Sequence, residues 1–189
     1  MMEPWQIREI HAASALAAKA HDGQFRDDGV TPYIIHPARV AGLVPVFGGG
    51  YTEVIAAWLH DVIEDCSHGE TTVAYGLSSF CLPGDDAITV YQIVKALTKD
   101  KSIEEEQRLQ ESLARINAAP PGATLVKICD RLDTVLDAVK GREDRQKYLK
   151  DTDVLLSTLY GRAVESGYTE AHEVLRVTTL LAAKGISGS

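Results

Sequence analysis

In the stretch WLHDVIEDC, residues 58–66, a histidine and three carboxylates interrupt side chains that belong in a core. Trp58, Leu59, Val62 and Ile63 call for burial, whereas His60, Asp61, Glu64 and Asp65 call for water. A fold that buries the first set strands the second, and an unpaired buried charge is strongly unfavourable. On a continuous helix of about 3.6 residues per turn, His60 and Glu64 share one face and Asp61 and Asp65 the adjoining one. A divalent cation resolves the conflict, because one ion holds an imidazole and a carboxylate together.

Two further polar residues sit in equally apolar helical stretches: His36 in PYIIHPARV and Asp130 in LVKICDRLDTV. A His-Asp dipeptide alone reads more simply as a satisfied core pair. Three such anomalies on separate helices put a ligand set of His36, His60, Asp61 and Asp130 on a par with that simpler reading. Its nitrogen and oxygen donors suit Mn²⁺, Fe²⁺, Zn²⁺ or Ni²⁺ better than Ca²⁺ or a thiolate-preferring ion. Glu64 and Asp65 remain beside the ion, placed to position a water and accept its proton. Lys127 and Arg131, one turn apart around Asp130, read as a surface ion-pair set, with Arg131 also a candidate to meet phosphate. Lys95 and Lys99 are candidate phosphate-facing charges or simple helix-end lysines. His21 and His68 lie in loops near these motifs, and Cys129 reads as a small buried hydrophobe.

Helical periodicity dominates the rest of the chain and predicts an all-α domain of roughly eight or nine helices over residues 1–189. Expected helices include one after Pro4, one in IIHPARVAGLV, and one in EVIAAWLHDVIEDC capped by Thr52. A short helix is expected near TTVAYGLSS. AITVYQIVKALT, rich in β-branched residues, lacks period-2 alternation and reads as a buried helix. Two more follow in SIEEEQRLQESLARINAA and in ATLVKICDRLDTVLDAVK, the latter ended by Gly141. The last helices are expected from about Asp144 to Gly161 and from about Thr169 to Lys184, before a frayed GISGS tail.

No window approaches a membrane span, and Glu3 and Glu9 stand where a signal peptide would be basic. The formal net charge of −8 disfavours non-specific nucleic-acid binding. Three cysteines without CxxC spacing suggest a reducing, cytoplasmic setting. Nothing in the pattern specifies an oligomeric state.

HDGQFRDDGVTPYIIHPARVA, AAWLHDVIEDC and GATLVKICDRLDTV, in this order, resemble the hydrolase domain of RelA/SpoT-type alarmone enzymes. The likeness is above all to small stand-alone hydrolases such as the metazoan SpoT homologue, within the HD-domain phosphohydrolases, and runs from about residue 5 to 165. It implies a single HD-domain helical bundle with one Mn²⁺ held by His36, His60, Asp61 and Asp130. It also implies Glu64 and Asp65 as catalytic carboxylates, and water-driven removal of the 3′ pyrophosphate from guanosine 3′,5′-bis(diphosphate) or the pentaphosphate. Arg26 matches an arginine that lies against the nucleotide, and Thr134 stands where an asparagine contacts substrate. No synthetase segment is seen, so degradation without synthesis is expected. The chain departs from the family pattern at Asp27, Asp133, Thr134 and Leu136. These changes are expected to leave the metal set intact and to alter the adjoining pocket. The alternatives are another phosphorylated nucleotide, such as a nucleoside monophosphate or NADPH, and a non-catalytic nucleotide sensor.

Overall fold

The computed structural model describes residues 2–138 and 145–185. These form α1 (Pro4–Ala20), α2 (Ile35–Leu43), α3 (Tyr51–Leu59), α4 (Val62–Asp65), α5 (Gly69–Ser79), α6 (Asp86–Leu97), α7 (Glu105–Ala118), α8 (Gly122–Ala138), α9 (Arg145–Glu165) and α10 (Thr169–Ala183). A 3-10 turn, Val44–Phe47, extends α2. Among the described residues there is no strand, only an isolated antiparallel bridge between Phe25 and Pro32. The all-α expectation holds; Gly141 and residues 186–189 of the expected frayed tail lie outside the described residues.

Helices α3 and α8 organise the core. Helix α3 packs on α1, α2, α6 and α8, while α8 meets α2, α3, α6, α7, α9 and α10. Leu125, Ile128, Leu132 and Val135 line α8 at helical spacing. Its other faces are covered too, so Thr124, Lys127, Arg131 and Asp133 are also buried. A helix enclosed on every side must satisfy its polar residues internally. The β-branched segment of α6 is helical because Val90, Ile93, Val94 and Leu97 place their side chains on one buried stripe.

Two expectations for the central stretch need correction. Thr52 is not the cap: α3 begins at Tyr51, and Glu53 reaches back to accept the Gly50 amide at 3.0 Å. The helix is also not continuous through residue 66, since it stops at Leu59, turns at His60 and Asp61, and resumes at Val62. The break replaces two parallel faces with a corner.

That corner is locked by a backbone approach. A Cβ on Gly69 would stand 2.0 Å from the Val62 carbonyl oxygen and 2.7 Å from the Ile63 Cα. His68 just before it is held at φ 57, the left-handed region. Gly69→Ala is therefore expected to lower unfolding free energy by roughly 1–3 kcal/mol, the usual overpacking cost. Gly161→Ala, exposed within α9 with nothing within 4 Å of its added Cβ, should instead stabilise by about 0.5–1 kcal/mol. Urea denaturation of both variants reads the two signs.

Candidate metal centre

A short hairpin delivers His36, the first of the expected ligands. Asp28 closes its tip, accepting from the amides of Val30 and Thr31 at 2.9 and 2.8 Å and from the Thr31 hydroxyl at 2.6 Å. These hydrogen bonds, that of the Thr31 hydroxyl foremost, hold the Asp28 carboxyl down to about 2. The Arg26 amide donates to the Thr31 carbonyl, the Tyr33 amide to Gln24, and the His36 amide to Tyr33. The chain thus enters α2 with Tyr33 and His36 aimed inward. Pro37 lies in the first turn of α2, where no intrahelical amide is needed.

The break after Leu59 delivers the second pair. His60 Nδ1 lies 2.8 Å from the Ala57 carbonyl oxygen, a group left without a helical partner by the turn. A carbonyl only accepts, so Nδ1 carries a proton, and in the neutral ring the lone pair is on Nε2. That Nε2 is buried and has no hydrogen-bond partner. It faces Asp61 Oδ2 at 3.1 Å and Asp130 Oδ1 at 3.9 Å. His36 Nε2 meets the same oxygens at 3.5 and 3.2 Å. One donor atom each from His36, His60 and Asp130 falls within 4.8 Å of the others. Three of the four expected ligands, His36, His60 and Asp130, fall in that group, and Asp61 lies outside it, against both imidazoles.

The charge balance points to a divalent cation. Asp61, Asp130 and Asp133 surround the imidazoles, and Lys127 Nζ donates to Asp130 Oδ2 at 2.8 Å. Three carboxylates against one ammonium leave two negative charges in a buried site. Without an ion, protons must supply the balance. Burial alone would lower the His36 pKa, but hydrogen bonds to Asp130 and Asp133 and the charges of Asp130 and Asp61 carry it to about 9. His60 is likewise raised, Asp61 and Asp130 prevailing over its burial. An orphaned imidazole nitrogen among carboxylates, with two charges missing, fits a dication.

The acidic pair lies together on α4 but meets different partners. Tyr33 Oη lies 2.7 Å from Asp61 Oδ2 and 3.3 Å from Asp65 Oδ2, joining Asp65 to the cluster. Burial, then the charges of Asp61 and Glu64, raises the Asp65 pKa. Glu64 is held by Lys99, through the amide at 3.0 Å and Nζ at 3.1 Å. Lys101 Nζ donates to the Glu64 carbonyl at 2.9 Å and lies 3.6 Å from Asp65 Oδ1. Lys95 pairs with Glu70 instead.

The three expected substrate residues are placed differently from the ligands. Arg26 lies over the Tyr33 ring at 5.7 Å and donates to Asp137 Oδ2 at 3.2 Å. Thr134 bonds back to the Asp130 carbonyl at 2.9 Å. Arg131 turns away from the cluster, stacking over Tyr148 at 4.4 Å and reaching Thr152 on α9 at 3.5 Å. The expectation of Lys127 and Arg131 as a surface ion-pair set is corrected, because both are buried on α8. Tyr33, Lys127 and Asp133 are the site residues that the motifs left unassigned. Tyr33 was legible as the aromatic one turn before His36, and Asp133 as a carboxylate one turn after Asp130. Beside the cluster, Arg39, Gly42, Leu43, Asp133, Leu136 and Asp137 line an open cavity of about 460 Å³.

A model of the HD-domain family matches residues 13–163. The chain belongs to the HD-domain family. It is 32% identical over 160 residues to the guanosine-3′,5′-bis(diphosphate) 3′-pyrophosphohydrolase of Aquifex aeolicus (strain VF5), covering 84% of this chain and 22% of that protein. It is 31% identical over 138 residues to the guanosine-3′,5′-bis(diphosphate) 3′-pyrophosphohydrolase MESH1 of Homo sapiens, covering 70% of each. The chain therefore spans about a fifth of the Aquifex relative's length. The solved structure of a metazoan SpoT ortholog that hydrolyses ppGpp superposes with a TM-score of 0.74 at 24% identity, covering 94% of this chain and 96% of that one. This last likeness establishes the HD helical fold. Among the described residues, no helix of this HD protein is long and apolar enough to cross a membrane.

The charge balance has a measurable consequence. The folded His36 pKa of about 9 exceeds the ordinary 6.5, so its protonation stabilises the metal-free fold fully below 6.5 and less as pH rises through 9. The thermal midpoint of chelator-treated protein is expected to fall between pH 7 and 10. Adding a divalent cation at pH 9 should restore it, which differential scanning calorimetry will show.

Proposed function

We propose that this HD protein is a Mn²⁺-dependent hydrolase that removes the 3′ pyrophosphate of guanosine 3′,5′-bis(diphosphate) or the pentaphosphate, yielding GDP or GTP. The observation carrying the proposal is the unpartnered His60 Nε2 in the group of His36, His60 and Asp130, with Asp61 against both imidazoles and joined through Tyr33 to Asp65. The 3′-pyrophosphohydrolase activity for which the Aquifex and human relatives are named supports the substrate class. Free cysteines at 66, 81 and 129 suit a cytoplasmic location.

A divalent cation, when bound, supplies positive charge against a phosphoryl oxygen and acidifies a water. The protein's own groups do the rest. Asp65, its pKa raised by burial and neighbouring carboxylates, takes the proton from the attacking water. Tyr33 remains a phenol, its pKa driven up by burial and by Asp61, so it keeps the Asp61 and Asp65 carboxylates aligned. Glu64, immobilised by Lys99, orients the water, while Lys99 and Lys101 face the departing diphosphate with positive charge. The cavity between α2 and α8 receives the nucleoside, with Arg26 at its edge. Thr134 and Arg131 need a side-chain rearrangement to touch substrate, since they are turned to the Asp130 carbonyl and to α9.

One observation favours a second reading. Asp137 ties up both Arg26 and Arg39, at 3.2 and 3.4 Å, and Asp133 adds a carboxylate to the cavity wall. Such a wall suits a nucleotide with fewer phosphates, such as a nucleoside monophosphate or NADPH, equally well.

Mn²⁺-loaded protein incubated with ppGpp is expected to release pyrophosphate and GDP, and to stop with chelator or in Asp61→Asn. Glu64→Gln and Asp65→Asn should retain the metal while losing about 10²–10⁴ in rate, the usual contribution of a positioned base. Orthophosphate from a monophosphate in place of pyrophosphate from ppGpp would select the second reading. Metal-loaded protein that binds nucleotide without turnover would reduce the chain to a sensor.

A further inference from the structure

We infer that Asp133 is a positioning residue of the metal centre, orienting His36 and making it the stronger of the two nitrogen donors. The inference rests on the metal reading of the cluster. The two imidazoles are anchored differently at their outer nitrogens. His60 Nδ1 donates to a neutral backbone carbonyl, that of Ala57 at 2.8 Å. His36 Nδ1 faces the Asp133 Oδ2 carboxylate at 2.7 Å, with the residues 3% and 4% exposed. A carboxylate on the outer N–H holds the ring with Nε2 inward and pulls the proton toward itself, which raises the donor strength of Nε2.

Packing does not account for this carboxylate. A buried charge with weak partners is costly, and the other Asp133 contact, Oδ1 to Arg39 Nη1, is long at 3.9 Å. The Arg39 side chain is 49% exposed, so that pair contributes little. The close partner of Asp133 is His36. Its place in sequence explains how it gets there, because Asp133 follows Asp130 by three residues and so shares its face of α8. One helix therefore supplies both a ligand and the support for a ligand on α2. Asp133 is also one of the three carboxylates whose charge matches a dication. Its removal would leave one uncompensated negative charge where two are needed.

The test is Mn²⁺ affinity, measured on chelator-treated protein without substrate by electron paramagnetic resonance of the free ion. Wild-type protein is expected to bind one ion. Asp133→Asn should raise the Kd by about 10–100-fold, the usual effect of losing such a support, and Asp133→Ala by at least as much. Asp137→Asn, one turn further along α8 and paired with Arg26 and Arg39, should stay within about threefold on the same reasoning. Tight binding by wild type and Asp133→Asn alike overturns the role of Asp133 and leaves the metal reading standing. No binding by wild type of Mn²⁺, Zn²⁺, Fe²⁺ or Ni²⁺ overturns the metal reading, and the inference with it. A second readout needs no variant. In wild-type protein loaded with diamagnetic Zn²⁺, the His36 Nδ1 proton should resonate downfield of the His60 Nδ1 proton, and equal shifts overturn the inference.

Discussion

Two negative charges lacking a protein partner, enclosed where α2, α3 and α8 meet, are the constraint around which the molecule is arranged. Asp61, Asp130 and Asp133 lie beside His36 and His60, and Lys127 opposes them as the close fixed positive charge, with Arg39 only at a long 3.9 Å from Asp133 and half exposed. The low dielectric of a helical core magnifies the imbalance. It can be closed by protonating both imidazoles or by a divalent ion. The first solution appears in the raised pKa values of the histidines. The second releases those protons and couples ion binding to the stability of the fold.

Local geometry makes the cluster possible. The helix is interrupted at His60 and Asp61, whose backbones stay right-handed helical. The turn at these residues brings Nε2 of His60 and Oδ2 of Asp61 within 3.1 Å and leaves the Ala57 carbonyl free to set the tautomer. Gly69 lets the next helix close against the corner, and the hairpin closed by Asp28 carries Tyr33 to Asp61 and Asp65. The result is a graded edge: the candidate ligands inside, an acid with a raised pKa at the rim, and Lys99 and Lys101 beyond it.

The cavity next to this edge distinguishes the chain from the family pattern it resembles. Its wall combines Leu43 and Leu136 with an Arg39–Asp137 pair, and Asp133 belongs at once to that wall and to the support of His36. A change in the residues that line the cavity therefore reaches the metal centre directly, through a single hydrogen bond. The departures after Asp130 were expected to leave the ligand set intact and to alter the adjoining pocket; Asp133 does line that cavity, and it also meets His36 Nδ1 at 2.7 Å.

Much of this architecture was written in the sequence. Helical periodicity established the all-α class, and the β-branched segment of α6 was legible as a helix because its apolar residues recur at turns of 3.6 rather than 2. His36, His60, Asp61 and Asp130 stood out because each is polar in an apolar helical stretch, and such residues persist only when something satisfies them. What sequence spacing could not supply was direction. It placed His60 and Asp61 on a continuous helix, since a two-residue corner has no signature stronger than the apolar pattern running across it. It read Lys127 and Arg131 as a surface set, because nothing local reveals that α8 is enclosed by six other helices. Within that enclosure only tertiary packing decides which way a side chain turns: Lys127 toward Asp130, Arg131 toward α9, and Asp133 toward His36. Residue type and period are properties of the chain, whereas the partner of a buried charge is a property of the neighbours that the fold brings to it.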